Sequence, residues 1–361
     1  MSEAESPALV ERLVDGDHRA LARAITRIEN RSEGHRELVS ALHAHAGSAS
    51  VVGVTGSPGA GKSTLVDKLT RAYRDRGETV GVIAVDPSSP YTGGAVLGDR
   101  IRMGSNVGDM GVFVRSMSTR GQLGGLATAT ADAVTALDAF GKDRIVVETV
   151  GAGQNEVDVV RTADTVVVVV QPGAGDDVQM LKAGILEIGD VFVVNKADQE
   201  GASRTVADIE EMLQLRDGDA GGRVGHHGPA VGDASAASGD GVDGGAADGS
   251  DGADDGDWTP PVVETVATTG DGVPDLLATL DDHGAYLDRT GERRERARSR
   301  YADEIRQLLR GDAGRLLEEE LDRRGGVDAL AEAVLDRETD PYTVVDEVLG
   351  PLADCVRERR E

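Results

Sequence analysis

The sequence predicts an α/β fold: a mostly parallel, doubly wound sheet flanked by helical extensions at both ends. Three observations lead there. Val/Ile-rich runs of strand length alternate with segments of helical periodicity. Several of the runs are continuously apolar, as strands buried on both faces of a parallel sheet must be. One run leads through a glycine-rich loop, "GSPGAGKS" at 56–63, directly into a helical segment.

Residues 1–48 read as a helical extension. Ser6 and Pro7 form an N-cap and first-turn pair ahead of "ALVERLV". Gly16 interrupts, "HRALARAITRIEN" resumes the helical pattern, and "HRELVSALHAHAG" ends it at Gly47. His43 and His45 lie near that end with no further ligand types beside them and read as structural or exposed.

Residues 49–289 carry the alternation. The strand-like runs are "VVGVT" (51–55), "VGVIAVD" (80–86), "GVFVRS" (111–116), "RIVVETV" (144–150), "TVVVVVQP" (165–172), "VFVVNKAD" (191–198) and "VVETVAT" (262–268). Helices are expected from Lys62 to about Arg76, then over 123–140, 177–188, 202–215 and 273–288. Within this domain, 217–257 is Gly, Asp, Ala and Ser with almost no large apolar side chain. Such a segment buries too little surface to offset its ordering entropy and reads as a disordered acidic insertion. The His226–His227 pair inside it reads as a solvated loop.

Residues 290–361 are helical and highly charged, with apolar positions at helical spacing. The pattern alone fits a cap on the same domain or a dimerisation arm equally well.

Composition narrows the function. The formal net charge is −27, a field that repels nucleic acid and anionic membranes. Only five lysines occur, at 62, 68, 142, 182 and 196, so nearly all basic charge is arginine. The charge could mark an acidic, cation-binding protein, but adaptation to high salt is the better reading, because self-repulsion is screened within ~3 Å at 1 M salt, and the lysine usage supports it. No apolar run approaches the ~20 residues of a membrane span. The first residues are acidic and lack a basic-then-apolar signal. A lone Cys355 excludes an internal disulfide and a multi-cysteine zinc site. A cytoplasmic protein is the simplest expectation.

The glycine-rich loop fits G-x-x-x-x-G-K-[ST] in full, between a strand and a helix. Gly56, Gly59 and Gly61, with Ser57, Pro58 and Ala60 between them, let backbone N–H groups face phosphates. Lys62 would reach the β- and γ-phosphates, and Ser63, followed by Thr64, would offer a hydroxyl to Mg²⁺. The helix N-terminus adds favourable partial charge for an anion.

"NKAD" at 195–198 ends another strand-like run. In GTPases N-K-x-D reads guanine. Asp198 would accept from guanine N1–H and the exocyclic amine, which adenine cannot offer. Asn195 would tie this loop to the phosphate loop, and the stem of Lys196 would cover the base. Thr265, Val266 and Ala267 suit the last base-contacting loop, with the Ala267 N–H near guanine O6.

Acids at strand ends complete the set. Glu148 stands where a carboxylate would approach Mg²⁺, and Gly151 would present its N–H to the γ-phosphate. Asp86 and Asp99, in "VDPSSPYTGGAVLGDRIRM" (85–103), are further candidates for the Mg²⁺ shell. Gln154 does not directly follow Gly151, so it receives no water-positioning role. "QPGAGDDVQMLKAG" (171–184) follows a buried strand. There Lys182 is either a helix-surface charge or part of a switch.

With "GSPGAGKST", "VDPSSPYTGGAVLGDRIRM", "ETVGAGQNEVDV", "QPGAGDDVQMLKAGI" and "NKAD" in this order, the chain resembles the MeaB/ArgK family of G proteins. The likeness runs from the N-terminal to the C-terminal helices. It implies a P-loop GTPase domain that binds GTP and GDP with Mg²⁺. It also implies a chaperone of an adenosylcobalamin-dependent methylmalonyl-CoA mutase that gates cofactor loading and protects or reactivates the enzyme. Homodimerisation through the C-terminal helices is implied too. Carried over by motif, Lys62, Asp86, Glu148 and Gly151 are catalytic, and Ser63, Asp86, Asp99 and Glu148 form the metal shell. Asn195, Lys196 and Asp198 read the base. The loop from Gln171, with Gly173, Asp176 and Lys182, resembles the family's additional switch. The 217–257 insertion is longer and more acidic than the family requires. An alternative is a nickel-insertion GTPase for hydrogenase or urease maturation. Those proteins usually show a His-rich segment or a Cys-containing metal site, and here Cys355 stands without a His cluster. "NKAD" argues against a kinase or transport ATPase, because it favours guanine.

Overall fold

A computed structural model describes residues 5–86, 108–118, 125–149, 161–173, 185–219 and 257–358. The chain forms two compact units, Met1–Arg296 and Ala297–Glu361.

The first unit is built on seven strands: β1 (Ser50–Gly56), β2 (Val80–Asp86), β3 (Val112–Ser118), β4 (Arg144–Thr149), β5 (Thr165–Val170), β6 (Val191–Asn195) and β7 (Val262–Thr265). All neighbours pair in parallel, in the order β3-β2-β4-β1-β5-β6-β7. The chain starts at the centre, builds one half, returns and builds the other. The crevice at such a switch point lies beyond the carboxyl ends of the central strands.

Period-2 alternation distributes the strand side chains between two faces. Helices α1 (Glu5–Val14), α2 (His18–Glu29) and α3 (His35–Leu42) precede the sheet, and α4 (Lys62–Asp75) and α5 (Gly125–Ala139) follow β1 and β3. Next come α6 (Ala202–Asp219) and α7 (Val273–Thr290). Val52, Val54, Val146, Val167 and Val169 pack with Leu65, Leu69 and Tyr73 of α4 and Leu276 and Leu280 of α7. On the other face Val51, Ile83, Ile145 and Val147 meet α5 and the N-terminal helices. Val166, Val168 and Val170 turn to Ile209 and Leu213 of α6.

The N-terminal helices belong to this core. Leu13, Leu21, Ile25, Leu38 and Leu42 are fully buried. Burying each such side chain stabilises by about 1.5–3 kcal/mol. Asp17 caps α2, accepting from the N–H of Arg19 and Ala20. Asp138 of α5 accepts from the N–H groups of Gly47, Ser48 and Ala49, which fixes the link into β1.

Several elements differ from their sequence limits. β6 stops at Asn195, because Lys196 takes a left-handed backbone with φ 61°. β7 stops at Thr265, where Val266 instead bridges back to Asp271. Helix α6 runs on to Asp219, past the expected start of the insertion at 217. Residues 220–256 of that insertion lie outside the described residues, as does most of the helix expected over 177–188.

The amino ends of the strands hold a buried polar cluster. Asp164, just before β5, accepts from the Val51 N–H, and Asp190, just before β6, accepts from the Val166 N–H. Helix α8 (Glu292–Arg323) opens with Arg293 and Arg296. Arg293 Nη1 pairs with Asp164 at 3.3 Å, and Arg296 Nη1 donates to Asp190 at 3.0 Å. His283 is fully buried, its Nδ1 2.8 Å from Thr165 Oγ1 and its Nε2 3.5 Å from Asp190 Oδ1. Trp258 Nε1 donates to the Asp190 carbonyl, and its ring lies 4.7 Å from that of His283 and 5.5 Å from that of Tyr286. Burial pushes the His283 imidazole down to about 3, and the nearby Arg296 and Arg293 add to this. Burial also raises the Asp190 carboxyl, against the opposing pull of Arg296.

The second unit continues α8 and adds α9 (Gly326–Leu335) and α10 (Pro341–Glu358). It exposes large apolar side chains, among them Tyr301, Ile305, Leu309 and Leu316 on α8. Among the described residues no helix is long and apolar enough to cross a membrane.

Candidate nucleotide site

The site forms where β1, β4, β5, β6 and β7 end. β1 delivers Gly56, whose φ is 135°. A Cβ there would sit 1.9 Å from the Val169 carbonyl oxygen of β5, so only glycine fits this approach. The loop continues as Ser57 N donates to Val169 O and Ala60 N to Ser57 O. Gly61, at φ 92°, turns the chain into α4, and a Cβ there would meet Asn195 Nδ2 at 2.4 Å.

Inside the loop the Lys62 ammonium is nearly buried and donates to the carbonyls of Gly56 (2.7 Å) and Ser57 (2.9 Å). Ser63, in the first turn of α4, donates its hydroxyl to Glu148 Oε1 at 2.5 Å. Glu148 is 6% exposed and pairs in register with Val54 of β1, two residues before the loop. Thr149 Oγ1 donates to Thr55 Oγ1, joining the same two strand ends. Asp86 ends β2, in register with Ser118 of β3.

One buried amide fastens three loops. Asn195 Nδ2 donates to the Ala60 carbonyl at 2.6 Å. Its Oδ1 accepts from Thr265 Oγ1 at 3.1 Å and from the Ala267 N–H at 3.0 Å. The Ala197 N–H donates to the Thr265 carbonyl. The Ala267 N–H, expected from the sequence near guanine O6, here braces the loop through Asn195. Lys196 reaches back over the phosphate loop, and Asp198 stands exposed at the mouth.

The structure brings Gly56 through Thr64, Glu148, Gln171, Asn195 through Asp198 and Thr265 through Ala267 to one side of the sheet. Gly173 follows with φ 79°. Asp99, Gly151, Gln154, Asp176 and Lys182 lie outside the described residues. Sequence reasoning did not find the Thr55–Thr149 link or the side-chain partners of Lys196. Both depend on strand ends that only the sheet order places together.

The Ser63 hydroxyl and Glu148 carboxylate form a hard oxygen pair of the kind Mg²⁺ accepts, and the half-turn at Gly61 aims α4 at the loop. A phosphate loop by itself accepts any nucleoside triphosphate. What narrows the class is the N-K-x-D loop that Asn195 holds against it: the domain is that of a P-loop GTPase.

The family model described as methylmalonyl Co-A mutase-associated GTPase MeaB matches residues 21–320, and the chain belongs to this family. A putative GTPase of Pyrococcus abyssi is 46% identical over 341 residues, covering 94% of this chain and 95% of the relative. A fused isobutyryl-CoA mutase of Cupriavidus metallidurans is 39% identical over 214 residues, 58% of this chain and 19% of that protein. Among solved structures, one titled LAO/AO transport system kinase aligns with a TM-score of 0.64 at 22% identity. It covers 98% of this chain and 99% of the other, a likeness of fold.

Proposed function

We propose that this protein binds and hydrolyses GTP, and uses that cycle to chaperone an adenosylcobalamin-dependent methylmalonyl-CoA mutase. It would gate cofactor loading and protect or reactivate the enzyme. The observation that carries the nucleotide half is the Asn195 amide, which joins the phosphate loop to the base-reading loops. Support for the client half is the family's description as mutase-associated, together with a relative in which a similar segment is part of a fused mutase.

In this reading the backbone N–H groups of Gly59 and of 61–64 cradle the phosphates, and Lys62 exchanges its loop carbonyls for phosphate oxygens. Ser63 and Glu148, with Asp86 and Asp99, would hold Mg²⁺, which offsets phosphate charge when bound. Gly151 would sense the γ-phosphate, and Asp198 with the Lys196 stem would select guanine. Gln154, Gln171, Gly173, Asp176 and Lys182 would relay nucleotide state to the client.

A homodimer fits the exposed apolar side chains of the C-terminal helices. The charge of −27 and the near-exclusive use of arginine fit work in a salt-rich cytoplasm, away from nucleic acid and membranes.

The test is capture from a lysate at high salt, with the protein loaded with GDP or a non-hydrolysable GTP analogue. Nucleotide-dependent recovery of a B12-dependent mutase is expected. Recovery of a nickel-enzyme precursor instead would replace the client.

A further inference from the structure

We propose that Gln171 is a positioning residue for the nucleotide: its side-chain carbonyl holds the Lys196 ammonium over the phosphate loop and so sets how firmly the base is held. The inference rests on the guanine-nucleotide reading of the site.

Two acceptors fix the Lys196 ammonium. Nζ donates to the Gly59 carbonyl at 2.8 Å and to Gln171 Oε1 at 2.6 Å. The first belongs to the phosphate loop, and the second to the residue after β5. β5 lies between β1 and β6, with Val169 beside Gly56 and Val170 beside Val194. Gln171 is thus delivered between the two loops that Lys196 spans. Its Nε2 also lies 3.9 Å from where a Cβ on Gly59 would stand, which places the amide against the loop.

The backbone of Lys196 points the same way. A non-glycine residue at φ 61° adopts a sparsely populated conformation, and such strain persists where surrounding contacts hold it. Here it turns the side chain back across the phosphate loop. A lysine stem has more rotamer freedom than most side chains, and ordering it when ligand arrives weakens binding. A second acceptor orders it beforehand. Because glutamine is neutral, it does so without cancelling the ammonium charge that faces the nucleotide.

The experiment is a double-mutant cycle on the full-length protein at high salt. Gln171→Met, Lys196→Met and the double variant are titrated with a fluorescent GDP, and GTP turnover is measured. Gln171→Met should raise the GDP dissociation constant and the KM for GTP about tenfold, with the loss in affinity rather than in kcat. In the Lys196→Met background the same change should cost less than about twofold. Gln171→Glu keeps the acceptor oxygen but sets a negative charge against Lys196 beside the phosphate loop, so it should also weaken GDP, and more so at low salt than at high salt. Wild-type affinity in Gln171→Met, losses that multiply in the double variant, or Gln171→Glu binding GDP equally at low and high salt would each overturn the proposal. A wild-type protein that binds no GDP would instead remove the functional reading beneath it.

Discussion

The hydroxyl of Ser63 donates to Oε1 of Glu148 at 2.5 Å, across elements 85 residues apart in sequence. The contact joins the first turn of α4 to the end of β4. It places a hydroxyl and a carboxylate together beside the loop that would carry phosphates. Glu148→Ala should lower GTP turnover by about 100-fold, in the range seen when charge-stabilising groups are removed. Phosphate release at saturating GTP measures it. Turnover within twofold of wild type would remove Glu148 from the catalytic set.

Asn195→Ala should act on both stability and binding. It leaves the Ala60 carbonyl, the Thr265 hydroxyl and the Ala267 N–H without their common partner. The expected cost is about 2–3 kcal/mol in urea unfolding, with GDP affinity at least tenfold weaker. A variant that loses stability while binding GDP normally would show the amide to be only a structural brace.

Asp198→Asn should weaken GTP and admit xanthosine triphosphate, whose N1/C2 edge suits an amide. Asp198 is exposed, so this change should leave unfolding nearly untouched. Competition titration with the two nucleotides reads the preference. An unaltered order would place base recognition elsewhere.

His283 gives a pH prediction. Its folded pKa is about 3, below the ordinary value near 6.5, so the unfolded chain binds the extra proton between these limits. Its contribution to stability is full above pH 6.5 and is lost as pH falls toward 3. Asp190 opposes this, because its raised carboxyl favours the folded state on protonation, in the acid part of the range. The groups facing the imidazole are Asp190, Arg293, Arg296 and the Trp258 and Tyr286 rings. His283→Phe should therefore flatten the decline of unfolding free energy between pH 6.5 and 5, relative to wild type. The full slope for one such proton is about 1.4 kcal/mol per pH unit. Parallel curves for the two proteins at high salt would contradict it.

Much of this was legible in the sequence. The Val runs gave the strands because both faces of the sheet are covered, so no polar alternation disguises them. "GSPGAGKS" and "NKAD" were legible because their spacing is itself the backbone geometry. The reach of α6 to Asp219 was not, since glycine and aspartate there suggested an end to the helix. The clamp of Arg293 and Arg296 on Asp164 and Asp190 was equally hidden. In a chain with 65 acidic residues, two turn aspartates carry no distinguishing signal. The membership of α1–α3 in the core also needed the structure, because amphipathic helices do not reveal what they cover.

Trp258 is the chain's single tryptophan, and its indole sits among His283, Tyr286 and the Asp190 carbonyl at the amino ends of the strands. The nucleotide loops occupy the opposite edge. The molecule thus carries its own optical label at the strand ends away from the phosphate loop: emission from that one ring reports whether the sheet is assembled, and a coloured nucleotide reports occupancy. Loss of structure and loss of ligand become two separate signals from one cuvette.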